Sequence, residues 1–63
     1  MSPHQLTLLR AADLLEADAR DVKASHTRSD GTWDLRDPLD ANAKADHDER
    51  MAIASKLRLM AGM

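Results

Sequence analysis

Residues 2–25, SPHQLTLLRAADLLEADARDVKAS, decide the fold. Within them Leu8, Leu15 and Val22 stand seven apart, Ala12 and Ala19 fall four residues after the two leucines, and Leu9 and Leu14 flank the row. On a helical period of about 3.6 residues these positions make one broad apolar stripe. Arg10, Asp13, Glu16, Arg20 and Lys23 lie mostly off it. The start is signalled as clearly as the face. Ser2 is an N-cap residue, Pro3 suits the first helical position, and Gln5 completes a Ser-x-x-Gln capping box. The expected helix spans residues 3–25 and frays by Ser25 to Thr27. Asp13 with Arg10, and Glu16 with Arg20, are helical neighbours that stabilise it by a few tenths of a kcal/mol each on a solvated face.

Working outward, Ser29-Asp30-Gly31 is a turn signal in which Gly31 is free to take positive φ. Residues 26–37 then read as a connection that folds back over the end of the helices, too short and too polar for a strand pair. It holds the unusual content of the chain: His26, Arg28, Trp33, Leu35 and Arg36. Asp37-Pro38 restarts helix as N-cap and first helical residue, with Asp40 in the first turn or, alternatively, itself the cap. The second helix is expected over residues 38–60, with Gly62 beyond its end. Ala43, His47, Ala54, Leu57 and Ala61 share one face of it, which Ile53 and Met60 widen. The many alanines on that face point to close helix approach.

The whole chain agrees with an all-α reading. It has 63 residues, 43% of them apolar, yet eleven of those are alanine and one is aromatic. Five β-branched residues (Thr7, Val22, Thr27, Thr32, Ile53) are too few to build a sheet. The fold class is an antiparallel two-helix hairpin, residues 1–63 forming one domain. At this length the core is marginal, and no cysteine is present to brace it. A two-helix layer also leaves one side of each stripe open. The expected remedy is a second copy, giving a homodimeric four-helix bundle. No apolar run approaches the roughly 20 residues that span a membrane. The first residues lack a signal peptide's basic start and apolar segment. The expected setting is cytoplasmic.

The formal charge is −2, unevenly spread. Residues 34–49 hold six acids against Arg36 and Lys44, whereas Arg50, Lys56 and Arg58 are the charged residues after them. Acids early and bases late are what a helix dipole favours. No helix carries a concentrated basic stripe, and Asp30, Asp34 and Asp37 largely cancel the thin patch of His26, Arg28 and Arg36. Direct nucleic-acid binding is therefore the lesser expectation. Asp46-His47-Asp48-Glu49 looks metal-like, but consecutive helical residues point in different directions and do not converge on one ion. Ser25 beside His26 has no triad geometry by adjacency alone, and two helices enclose little space for a substrate. The expectation is a non-enzyme with no metal and no cofactor. Trp33 is either a lid packing over Val22, Leu35 and Leu39 or an exposed anchor. Trp and Arg are favoured interface residues, so the surface expected to bind a partner combines Trp33, Arg28 and Arg36 with Asp37 and Asp40.

Ser25-His26-Thr27, Asp30-Gly31-Thr32-Trp33, Asp37-Pro38 and Ala43-Lys44-Ala45-Asp46-His47-Asp48-Glu49 carry a resemblance. Residues 25–50 resemble short open reading frames of tailed bacteriophages and prophages, which share Ser-His-Thr, Asp-Gly-x-Trp and Ala-Lys-Ala-Asp-x-Asp-Glu between two helices. In that group an aromatic residue is expected near position 47, where this chain has His47. The resemblance implies a phage-type accessory protein in a bacterial host, of a kind that often acts by binding a host protein such as a component of host defence.

Overall fold

A computed structural model describes residues 1–62. Two helices of 24 residues, α1 (Pro3–His26) and α2 (Pro38–Ala61), lie antiparallel along each other. The molecule is a rod of 44 × 16 × 15 Å. Each expected helix is extended by one residue at its C-terminal end. The capping box forms as written: the Gln5 N–H donates to Ser2 Oγ at 3.1 Å, and the Ser2 N–H donates to Gln5 Oε1 at 2.9 Å. For α2 the choice between two caps falls on Asp37, whose carboxylate accepts the Leu39 N–H at 2.9 Å.

The register is read from the two ends of the rod. At the turn end His26 Nδ1 lies 3.2 Å from Asp40 Oδ1, and at the open end Gln5 Nε2 donates to the Ala61 carbonyl at 3.0 Å. Stepping inward by sevens from both pairs brings Ala12 opposite Ala54 and Ala19 opposite His47. Among the described residues Ala12, Ala19, Ala54 and Ala61 are the buried apolar ones, and no large side chain is fully buried. The middle of the contact line is thus alanine. Leu8, Leu15, Val22 and Leu57 flank it half-buried. Alanines there allow two helix backbones to approach closely, at the expense of the large apolar burial that leucine would bring.

The ion pairs differ from those expected within α1. Asp13 and Glu16 turn away from Arg10 and Arg20 and meet Arg58 of α2: Arg58 Nη2 donates to Asp13 at 2.6 Å and Nε to Glu16 at 2.6 Å. Arg10 and Arg20 make no ion pair among the described residues. The guanidinium fork is the reason, because one Arg58 satisfies two carboxylates that stand three apart on α1. Along the other side of the alanine line, Arg50 bridges Asp46 of its own helix at 3.0 Å and Asp18 of α1 at 3.4 Å.

The connection contains no strand, and one antiparallel bridge, between Thr27 and Trp33, closes it. Gly31 takes φ +83°, as the turn signal predicts. Thr27 caps α1 by donating its N–H and its hydroxyl to the Lys23 carbonyl. Among the described residues no helix is long and apolar enough to cross a membrane.

Candidate partner-binding surface

The turn end gathers most of the chemically distinctive residues within a short distance of one another. Its geometry starts with Asp30, whose carboxylate accepts the Thr32 N–H at 3.0 Å and the Thr32 hydroxyl at 2.7 Å. Those two hydrogen bonds hold the Asp30 carboxyl below the usual carboxylate range. Gly31 N–H donates to the Arg28 carbonyl, and Arg28 N–H donates to the Thr32 carbonyl. The loop is tied before any partner touches it.

Asp34 is the residue that sequence reasoning undervalued. Counted there only as cancelling charge, it is the hub of the loop. Its Oδ1 accepts from the Arg36 N–H at 3.2 Å, its Oδ2 lies 3.6 Å from Arg28 Nη2, and its carbonyl accepts the Asp37 N–H. The available signal was position, since an acid midway between two arginines in a short loop is placed to orient both. Arg28 is further held by the Thr32 hydroxyl. Arg36 also sets its Nε 3.4 Å from Asp34 Oδ1, yet 89% of its side chain stays exposed.

Trp33 is half-buried and packs on His47, with ring centroids 5.6 Å apart and planes inclined at 59°. This tilted arrangement suits the ring quadrupole. Of the three residues named for a Trp33 lid, Val22 is half-buried, whereas Leu35 and Leu39 stand 58% and 71% exposed. The physical reason is register: with the Thr27–Trp33 bridge formed, the indole meets His47 in the third turn of α2 and the first residues of that helix stay outside. His47 in turn keeps Nδ1 3.0 Å from Asp48, and Asp48, also bound by Lys44, has its carboxyl lowered by Lys44 first and His47 second.

Of the five residues expected to bind a partner, the structure brings all to the turn end but gives them unequal freedom. Asp37 is committed to the α2 cap and Asp40 to His26, and Arg28 is held by Asp34 and Thr32. Arg36 remains available, and the structure adds Leu35 and Leu39 beside it. His26 keeps its Nδ1 on Asp40, and no hydroxyl hydrogen-bonds its ring among the described residues. Among the same residues no three His, Asp or Glu side chains gather to hold a metal ion.

No protein-family model, curated protein or solved structure matches this chain.

Proposed function

We propose that the chain works by protein–protein binding, as a small phage-type accessory protein that pairs with itself and modulates a host protein in the bacterial cytoplasm. One observation carries this reading: among the described residues the buried apolar ones are four alanines, while large apolar side chains such as Leu14, Leu35, Leu39, Leu59 and Met60 are each more than half exposed. A surface of 4599 Å² compares with about 4,000 Å² for a compact 7.0 kDa monomer. Large apolar side chains left exposed in that number are characteristic of chains that complete themselves against a partner.

The host-facing surface in this reading is the turn end, where Leu35 and Leu39 flank Arg36. Trp33 supports it from below through His47. The phage setting and the choice of a host target come from the resemblance of residues 25–50. The alternative, a small nucleic-acid-associated regulator, has less support, because Arg28, Arg36, Lys44, Arg50 and Arg58 each face a carboxylate.

Affinity capture from bacterial lysate, with and without nuclease, tests the reading. The expected result is one stoichiometric host protein that survives nuclease and is lost with Arg36→Glu or Leu39→Asp while helix content is kept. Capture that vanishes with nuclease and falls steeply with salt contradicts it and favours the regulator.

A further inference from the structure

We propose that the second copy docks on one particular side of the hairpin, the side that carries the Asp18–Arg50–Asp46 cluster, and that this cluster meets its own copy across the two-fold axis. The inference rests on the self-pairing reading above and adds the surface and its register.

The alanine line divides the rod into two long sides of different chemistry. Arg58 with Asp13 and Glu16 marks one side; Arg50 with Asp18 and Asp46 marks the other. Helical spacing assigns the remaining residues. Leu8, Leu15 and Val22 recur at sevens on the flank of α1 that holds Asp18. Ile53, Leu57 and Met60 follow Arg50 at i+3, i+7 and i+10 on the matching flank of α2. The Arg58 side carries Arg20, Lys23, Lys44 and Asp48 in addition to its own three charges, against Leu6, Leu9 and Met51 one heptad before Asp13, Glu16 and Arg58. One side is therefore mostly aliphatic and the other mostly charged.

The aliphatic side has the dimensions of an interface. A face 44 Å long and 16 Å wide covers about 700 Å², close to the roughly 800 Å² that each partner contributes to a standard interface. Two rods stacked on it make four helices around a common core. A second copy suits this side, because its charges (Asp18, Asp46 and Arg50) gather near the middle with aliphatic residues toward both ends. That pattern suits self-pairing. In an isologous contact the two-fold maps the centre of a face onto itself and its ends onto ends. Leu15 and Arg50 sit at the midpoints of α1 and α2, so the axis passes beside the Arg50 cluster. Aliphatic ends then meet aliphatic ends.

The cluster also explains what would hold the register. Arg50 has two carboxylate partners, and Asp18 remains 61% exposed with an oxygen free to accept from a second guanidinium. Sliding one copy by a heptad would set Arg50 against leucine and isoleucine side chains, leaving a desolvated charge poorly paired. A single polar position in an apolar seam fixes alignment in this way in coiled coils.

Two variants with opposite central charge test the inference. Arg50→Glu gathers three acids at the middle of the face, and Asp18→Lys with Asp46→Lys gathers three bases. Each alone is expected to dimerise at least tenfold more weakly than the native chain by sedimentation equilibrium. Mixed, they are expected to form a heterodimer in at least tenfold excess over either homodimer in native mass spectrometry, with helix content restored if either had lost it. Homodimers that persist and mix statistically overturn the proposed face and leave self-pairing intact. Failure of the mixture to regain dimer mass, where the native chain is dimeric, overturns the face as well. A native chain that stays monomeric at high concentration overturns the self-pairing on which the inference rests.

Discussion

Ala54 is almost completely buried and stands opposite Ala12 on the line where α1 and α2 meet. Substituting Ala54→Leu inserts three carbons between backbones held together by alanine. The expected cost is about 1–3 kcal/mol, read as a lower urea midpoint with an unchanged slope. Gly31 gives the opposite kind of case. A Cβ there meets nothing within 4 Å, yet φ is +83°. Gly31→Ala is therefore expected to destabilise by about 1 kcal/mol through backbone strain alone. Asp30 and Asp48 each contribute to the pH response. Both carboxyls titrate lower in the folded chain than in the unfolded one. Their contribution is present above the unfolded carboxylate pKa and is lost as pH falls through the lowered folded values. Thermal melts are expected to hold from neutral pH to about 4 and to drop below it. Asp30→Asn should flatten part of that drop.

At the scale of the element, the helices were legible because their signals are local. Ser2, Pro3 and Gln5 begin α1, Asp37 and Pro38 begin α2, and each act within one turn of chain. Asp37→Ala is expected to cost about 1 kcal/mol by freeing the Leu39 N–H, measured in the same melts. What the sequence did not disclose is which partner each charge chooses. Asp13 and Glu16 have acceptable neighbours in α1, and Arg58 prevails by approaching from the other helix. These pairs are solvent-exposed, so Arg58→Ala is expected to cost at most about 1 kcal/mol, falling further in high salt. Asp34 escaped notice for the same reason, since its two arginines converge on it only after the loop has folded. Trp33 was recognised as the loop's distinctive residue, but its seat on His47 depends on the register of α2 against the Thr27–Trp33 bridge.

For the whole molecule, periodicity announced two amphipathic helices and a turn, and the rod follows. The same periodicity placed leucine and alanine on one stripe without saying which would sit at its centre. That distinction matters for function. An alanine line brings the backbones together and pushes Leu8, Leu15, Val22, Ile53, Leu57 and Met60 to a side of the rod, where one hairpin leaves them only partly covered. Arg36 and Leu35 remain exposed in the connection at the turn end, open to a second kind of partner, whereas Leu39 stands a heptad before Asp46 and extends the self-pairing side. In this account folding and self-pairing are coupled, because the copy supplies the core that four alanines do not. The most direct test is the thermal midpoint of the native chain, followed by circular dichroism across a hundredfold range of concentration. The account predicts a midpoint that rises steadily with concentration, alongside a dimer mass at the upper end. A midpoint independent of concentration, with monomer mass throughout, would contradict it.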